Sequence, residues 1–307
     1  MDTLLQQIFN GLTLGSIYAL VALGYTMVYG ILGLINFAHG EVVMVGALVA
    51  VAAMKALLAL GLPAPLVFLL ALLIAALVCM ALGFTIERVA YRPLRKAPRL
   101  APLITAIGVS IVLQQLAMLF WGRSYHAVPA LLPAESYEIF GAQITELQVI
   151  IVVVAALTMG GLMLLVNRSR LGRAMRATAE NPAIAGLMGV DANRIISFTF
   201  ILGSALAALA GVLVSANYGI AHYNMGFILG LKAFTAAVLG GIGNLGGAMV
   251  GGILLGLIEA LGAGYIGDLT GGVLGSHYQD VFAFFVLIVV LVFRPSGLMG
   301  EKVAERA

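Results

Sequence analysis

Long uncharged runs separated by short polar segments dominate the sequence. A helix needs about 20 apolar residues to cross the hydrocarbon core of a bilayer, and most of these runs reach that length. The candidate spans are Thr3–Ala38, Val42–Leu60, Leu66–Ile86, Leu100–Gly122, Leu147–Val166, Ile195–Ala221, Ala233–Ile258 and Val281–Phe293, and Lys55 interrupts the second of them near its end. The pattern predicts an all-α polytopic membrane protein with about eight or nine transmembrane helices. We expect the first run to stay in the mature chain, because no positively charged segment precedes it.

The basic residues lie mainly in three segments, and this distribution orients the spans. Lys and Arg are enriched on the cytoplasmic side of membrane proteins. Thirteen of the 16 Lys and Arg residues are Arg88, Arg92, Arg95, Lys96 and Arg99, then Arg168, Arg170, Arg173, Arg176 and Arg194, then Arg294, Lys302 and Arg306. We therefore place these segments and the C-terminus in the cytoplasm, and the acidic stretch 123–146 outside.

This orientation requires a break within the run Ala233–Ile258. The span that begins at Ile195 leaves the cytoplasm and the last span returns to it, so the chain between them must start and end outside. The glycine-rich GGIGNLGG sequence, Gly240–Gly247, is the expected turn. We predict two short crossings or a re-entrant pair here.

Short sequence matches indicate an internal repeat. Leu14-Gly15-Ser16 recurs as Leu202-Gly203-Ser204, and Tyr29-Gly30 recurs as Tyr218-Gly219 at nearly the same offset. Because the two copies run in opposite directions, we predict the inverted repeats that are common in transporters. Within a single transmembrane domain 1–307, the first repeat covers about 8–121, a linking helix and cytoplasmic segment cover 147–194, and the second repeat covers about 195–293.

Two interrupted segments, 29–41 and 218–227, occupy matching positions in the repeats. Non-helical backbone inside a membrane must line a cavity or be buried in protein, and such breaks mark the transport pathway in many transporters. The candidate pathway residues are Asn36, Phe37, His39, Glu41, Tyr218, His222 and Asn224. The alternative is that these residues lie in interfacial loops and cap helix starts.

A polar segment of 28 residues, 167–194, interrupts the apolar sequence. Arg168–Arg176 is expected to extend the preceding span. A short helix is expected through Ala183–Met188, with Pro182 in its first turn and Thr178 or Asn181 as its cap. Gly189 is well placed to end it. On this helix Ile184, Leu187 and Met188 share one face. That face favours docking into a groove of a partner, although a position in the lipid interface is the alternative.

The composition excludes several classes of function. The chain is 62% hydrophobic and 9% charged, and its net charge of +3 gives no indication of nucleic-acid binding. No G-x-x-x-x-G-K-[ST] phosphate loop, no metal-ligand spacing and no G-x-S-x-G motif occurs, and Cys79 is the single cysteine. We therefore expect neither an enzyme nor a metal or cofactor site. The pairs Gly11/Gly15 and Gly252/Gly256 favour close helix packing.

Three segments carry a resemblance to a known family. Asn10–Glu41, Ile86–Arg95 and Lys232–Gly252 resemble the permease subunits of branched-chain amino acid ABC importers of the LivH type, and the resemblance extends through nearly the whole chain. It implies a second related permease, two ATPase subunits that use ATP, and a periplasmic substrate-binding protein, in a bacterial inner membrane. It also implies that 178–189 is the coupling helix, with Glu180, Ile184, Ala185, Leu187 and Gly189 at the ATPase contact.

The sequence and this resemblance thus predict the non-catalytic permease subunit of an ATP-driven amino acid importer that contacts other protein subunits and membrane lipids. Three alternatives remain at this point. One is an ABC permease for another small amide such as urea. Another is a secondary transporter coupled to an ion gradient, a class that usually keeps buried acids. The third is a uniporter or channel.

Overall fold

A computed structural model describes residues 2–95, 97–98, 100–131, 135–270 and 278–300. Lys96, Arg99, Lys302 and Arg306, which belong to the basic segments of the sequence, lie outside the described residues. The helices are α1 (Asp2–Leu32), α2 (His39–Ala59), α3 (Ala64–Ile86), α4 (Leu100–Trp121), α5 (Glu146–Arg168), α6 (Arg170–Glu180), α7 (Pro182–Leu187), α8 (Ala192–Tyr218), α9 (Met225–Gly240), α10 (Leu245–Leu269) and α11 (Gln279–Phe293).

The predicted all-α polytopic fold is confirmed. Among the described residues, seven helices are long and apolar enough to cross a membrane, and two shorter apolar segments lie at Met225–Gly240 and Phe284–Phe293. The remaining elements are small. Strand β1 (His126–Ala127) pairs with β4 (Ile220–Ala221), and β2 (Ser136–Ile139) forms a hairpin with β3 (Ala142–Thr145).

Both interruptions predicted from the repeat are present. Helix α1 ends at Leu32 and α2 begins at His39, while α8 ends at Tyr218 and α9 begins at Met225. Gly33 and Gly219 have φ angles of +64° and +71°. This left-handed conformation suits glycine and commonly ends helices.

The predicted break in the glycine-rich run is also present. Helix α9 ends at Gly240 and α10 begins at Leu245, with Gly241 and Gly243 at φ angles of +111° and +93°. The side chain of Asn244 then accepts a 3.0 Å hydrogen bond from the backbone N–H of Gly247 and caps the first turn of α10.

The chain divides into two compact units. The first comprises residues 1–22, 133–159 and 232–307. In it α10 packs against α11, and glycines bring α1 and α10 close together: a Cβ atom on Gly15 would lie 2.7 Å from the Cα atom of Ile253.

The second unit comprises residues 23–132 and 160–231. Its centre is formed by α2, α3 and α8, which pack against one another, with α4 packing on α2. Small residues allow the close approach, since a Cβ on Gly46 would lie 2.8 Å from the Cα of Ala208. A buried apolar cluster extends from α2 to its neighbours through Met44, Ala47, Leu48, Val51, Ala117 and Ala221.

One expectation for the polar segment is wrong. Arg168–Arg176 does not extend the preceding span as one helix, because α5 ends at Arg168 and a separate helix, α6, begins at Arg170. The side chain of Ser169 accepts a 2.9 Å hydrogen bond from the backbone N–H of Gly172 and caps α6. Ser169 favours the extended backbone of an N-cap over continuation of the helix.

Candidate functional site

The second unit contains a cavity of about 430 Å³ that combines polar and apolar walls. Its volume falls in the range of small-molecule sites, about 300–1,000 Å³. Its lining residues come from α1, α2, α4, α9 and the breaks before α2 and α9. They are Tyr25, Phe37, Glu41, Ile107, Ser110, Ile111, Gln114, Asn224, Phe227 and Leu231.

Glu41 is the acidic group of this cavity. It lies in the first turn of α2 and is 1% exposed. Its Oε1 atom accepts a 3.1 Å hydrogen bond from the Ser110 hydroxyl on α4. Its Oε2 atom has no hydrogen-bond partner among the described residues. Gly226 leaves room for this oxygen, because a Cβ there would lie 2.5 Å from it.

Two carboxamides form the other polar wall. The side chain of Gln114 on α4 donates a hydrogen bond to the side-chain oxygen of Asn224, which lies just before α9. The backbone N–H of Asn224 contacts the ring of His222 at 3.3 Å. Each carboxamide carries two N–H groups, so this pair can donate to a ligand as well as to each other.

The rest of the lining is apolar. Phe37, Ile107, Ile111, Phe227 and Leu231 supply aliphatic and aromatic surface. Among the described residues that line the cavity, none is a lysine or an arginine. The cavity therefore combines one carboxylate, neutral hydrogen-bonding groups and a hydrophobic wall.

Three of the seven predicted pathway residues, Phe37, Glu41 and Asn224, line this cavity. Two others are buried beside it in the fold. Asn36 is 4% exposed and accepts a hydrogen bond from Tyr91, and the ring of His39 packs edge-on against Tyr25 at a centroid distance of 4.9 Å.

The last two predicted pathway residues lie near the strand pair β1–β4. Tyr218 is 54% exposed at the end of α8. His222 stacks against Tyr125 at a centroid distance of 4.4 Å, and it contacts the backbone oxygen of Arg123 at 3.1 Å. The structure therefore does not bring these two residues into the cavity.

Sequence reasoning missed Ser110 and Gln114. They are isolated polar residues in the apolar run Leu100–Gly122, four positions apart, and positions four apart share one face of a helix. Polar side chains inside a membrane span are functional candidates. That signal could have identified α4 as part of the cavity lining.

A second candidate region is the polar segment with α7. Asn181 caps α7 by accepting hydrogen bonds of 3.0 and 3.1 Å from the backbone N–H groups of Ala183 and Ile184. Gly189, at φ +84°, follows its end. Thr178, the other predicted cap, is buried and donates instead to the backbone oxygen of Ala174.

The side chains of α7 have two different environments. Ile184, Leu187 and Met188 are 58%, 86% and 81% exposed, whereas Ala185 is buried. Glu180, the last residue of α6, is also exposed. The predicted apolar face is therefore present and open to solvent in this chain.

A buried ionic cluster lies between the end of α3 and the start of α8. After Ile86 the chain continues as a π-helical turn, Glu87–Tyr91. The Glu87 carboxylate accepts hydrogen bonds from Arg92 at 3.3 Å, from Arg95, and from the Ser197 hydroxyl of α8 at 2.7 Å. Burial lowers the pKa of the Arg95 guanidinium from its usual value, against the opposing effect of Glu87. Through Ser197, the cluster joins α3 to the helix that follows α7.

The chain is similar to known transport permeases over nearly its whole length. Residues 7–291 match the family model described as branched-chain amino acid transport system, permease component. The chain is 51% identical to the high-affinity branched-chain amino acid transport system permease protein BraD of Pseudomonas aeruginosa, over 98% of this chain and 97% of that protein.

Two further relatives show the breadth of the similarity. The permease protein LivH of Escherichia coli K12 is 47% identical over 98% of this chain and 97% of its own length. A probable LivH of Methanocaldococcus jannaschii is 28% identical over 93% of this chain and 89% of its own length. No solved structure matches the chain.

Proposed function

Because the chain belongs to the family of branched-chain amino acid transport system permease components, we propose that it carries branched-chain amino acids across the bacterial inner membrane as a permease subunit of an ATP-driven importer. The observation that carries the proposal is the similarity to high-affinity branched-chain permeases over nearly the full length of both chains. The helices that could span a membrane support it.

Transport by this chain requires other proteins. A permease component works within a transporter complex, and here we infer a second related permease, two ABC ATPases and a periplasmic binding protein. The absence of a phosphate loop from the sequence supports ATP use by the ATPases. In this arrangement the basic segments and the C-terminus face the cytoplasm.

The α7 segment is the proposed contact with an ATPase. Its exposed face of Ile184, Leu187 and Met188 provides a short apolar ridge of the kind that docks into grooves. The Asn181 cap and the left-handed Gly189 fix both ends of the helix. A movement of α7 would be transmitted to α8, because only four residues, 188–191, connect the two helices.

The interrupted segments would allow the transmembrane part to respond. The breaks at 33–38 and 219–224 separate α1 from α2 and α8 from α9, and we propose that the helices on either side of them reorient as the pathway opens to one side and then the other. The cavity lies between parts of both segments, since Phe37 and Asn224 contribute to its lining.

The cavity favours an amino acid over the alternative cargo. Urea has no apolar part, whereas this cavity has five apolar lining residues. Binding of an aliphatic side chain would remove apolar surface from water, at about 25 cal/mol per Å².

Reconstitution tests the proposal. Leucine uptake into proteoliposomes should require the permease pair, both ATPases, the binding protein and ATP. Uptake by this chain alone, or uptake driven by an ion gradient without ATP, would contradict it and support a secondary transporter.

Variants of α7 test the coupling contact. Leu187→Asp places a charge on the exposed apolar face and should lower ATP-driven uptake at least tenfold, while Leu187→Met, which keeps an apolar side chain, should retain it. Gly189→Asp strains a left-handed position, and Glu180→Arg reverses an exposed charge, so both should also abolish uptake with the protein still in the membrane. Normal uptake in all three disruptive variants would place the ATPase contact elsewhere.

A further inference from the structure

The charged groups that line the cavity indicate which kind of ligand it can bind. Glu41 brings a carboxylate that is almost fully buried, and one of its oxygens has no hydrogen-bond partner among the described residues. An acidic group in an apolar environment is costly unless a cation or hydrogen-bond donors compensate it. The lining residues provide no basic side chain, so the missing partner is a group that a ligand can supply.

We propose that Glu41 binds the α-ammonium group of the transported amino acid and is a specificity-determining residue of this permease. In this arrangement Oε2 is the acceptor, because Oε1 already accepts the Ser110 hydroxyl. The inference rests on the proposed function and names the group of the cargo that the cavity recognises.

The α-carboxylate of a bound amino acid also has hydrogen-bond donors within the cavity. The carboxamides of Gln114 and Asn224 lie on the same cavity as Glu41, and their N–H groups can donate to the α-carboxylate. Neutral donors hold a carboxylate less tightly than an arginine would. Weak binding of the carboxylate is appropriate for a transport site, because the ligand must enter the site and also leave it.

The apolar lining accounts for the side chain of the cargo. Ile107 and Ile111 project from α4 one turn apart, and Phe227 and Leu231 are spaced likewise on α9. Two such pairs form an apolar wall around a cavity that contains a single carboxylate. The predicted ligand is therefore an α-amino acid with an uncharged aliphatic side chain.

An inorganic cation is the competing occupant. A sodium or other metal ion would seek several oxygen ligands, preferably charged ones. The cavity offers one carboxylate, and its other polar lining residues, Tyr25, Ser110, Gln114 and Asn224, are neutral. Among the described residues, no group of three or more His, Cys, Asp or Glu side chains could hold a metal ion. This set of groups therefore favours an organic ammonium, and competition by sodium distinguishes the two occupants.

The direct test is ligand binding by the assembled complex in nanodiscs without the binding protein. Tritiated leucine is the probe, and its competitors are isopentylamine, which lacks the carboxylate, and 4-methylpentanoate, which lacks the ammonium. For the unaltered complex we expect the amine to displace leucine at a concentration at least tenfold lower than the acid. Sodium chloride at the same concentration as the amine should leave leucine bound.

Glu41→Gln is the decisive variant, since it keeps the shape and the Ser110 contact but removes the charge. It should weaken leucine binding at least tenfold and abolish the preference for the amine over the acid. A purely structural role would not alter that preference. Glu138→Gln, at an exposed position on β2, is the matched control and should bind as the unaltered complex does.

Uptake measurements on the same complexes distinguish an error in the assignment of Glu41 from an error in the proposed function. If the unaltered complex shows ATP-driven leucine uptake and Glu41→Gln takes up and binds leucine normally, the assignment of Glu41 is wrong and the proposed function stands. Absence of leucine binding to the unaltered complex, displacement by sodium, or preference for the acid would also overturn the assignment. Absence of any ATP-driven uptake would instead contradict the proposed function.

Discussion

The side-chain oxygen of Asn36 accepts a 2.9 Å hydrogen bond from the hydroxyl of Tyr91. Asn36 lies in the break between α1 and α2, and Tyr91 ends the π-helical turn after α3. Both side chains are buried. This bond fixes the interrupted segment to α3, so Asn36 belongs to the framework beside the cavity.

Removing the Tyr91 hydroxyl should therefore lower stability. Tyr91→Phe leaves the buried Asn36 oxygen without its donor, and we expect a loss of about 1 kcal/mol in the free energy of unfolding. Unfolding of the purified chain by SDS in mixed micelles measures it. The control is Tyr125→Phe, because Tyr125 is 68% exposed. An equal effect of both changes would show that the buried bond contributes nothing specific.

The Glu87 cluster should transmit motion between α8 and α3. Glu87→Gln removes the charge that Arg92 and Arg95 share, while these two side chains, 29% and 19% exposed, remain partly solvated. The Ser197 hydroxyl of α8 also donates to Glu87. In Glu87→Gln we therefore expect ATP hydrolysis to continue, while the number of leucine molecules transported per ATP hydrolysed falls at least fivefold.

The matched control for this cluster is Arg88→Gln, which places the same new residue at an exposed neighbouring position. The ratio of leucine transported to ATP hydrolysed, in proteoliposomes, is the measured quantity. If Glu87→Gln leaves that ratio unchanged, the cluster has no role in coupling.

The elements that could be predicted from the sequence are those set by local chemistry. Uncharged runs located the spans, and glycines located the breaks at Gly33, Gly219 and Gly241 because those positions need left-handed backbone. The Asn181-Pro182 start and Gly189 end of α7 follow from the same kind of signal. The separation of α5 from α6 depends on Ser169 and was missed, although serine is a common N-cap.

The set of residues that line the cavity could not be predicted from the sequence, because it depends on how the helices pack. Glu41, Ser110 and Asn224 are far apart in the sequence, and only the packing of α4 on α2 brings the first two within 3.1 Å. Conversely, Asn36 and His39 are also polar and close to Glu41 in the sequence, but the sequence does not reveal that their side chains contact Tyr91 and Tyr25. The proposed inverted arrangement of the two repeats stays a prediction.

A second buried ion pair gives a prediction for the first unit. The ammonium of Lys232 lies 2.6 Å from an oxygen of Glu259 and 2.7 Å from one of Asp280. The Tyr18 hydroxyl donates to the other oxygen of Glu259 at 2.9 Å. Lys232→Met would leave two carboxylates without their shared cation, so we expect a loss of about 3–5 kcal/mol in stability.

The double variant Lys232→Met/Glu259→Leu tests the cause of that loss. It removes the most buried carboxylate together with its partner, whereas Asp280, at 39% side-chain exposure, can be solvated. We expect the double variant to recover at least half of the stability lost in Lys232→Met, as measured by SDS unfolding. If the double variant were no more stable than the single one, the loss would arise from packing rather than from an unpaired charge.

The close contact between α1 and α10 gives a prediction about glycine. A Cβ on Gly15 would lie 2.7 Å from the Cα of Ile253, a backbone atom that cannot rotate away. Gly15→Ala should therefore force the helices apart and lower stability by about 1–3 kcal/mol. Gly160, on α5, has no heavy atom within 4 Å of an added Cβ.

Gly160→Ala is thus the matched control, and it should be neutral or stabilising by up to about 1 kcal/mol, because alanine favours helix over glycine. The midpoint of SDS unfolding should fall for Gly15→Ala and stay the same or rise for Gly160→Ala. Equal midpoints would mean that α1 and α10 are not in close contact in the folded protein, and the role assigned to the Gly11/Gly15 and Gly252/Gly256 pairs would have to be abandoned.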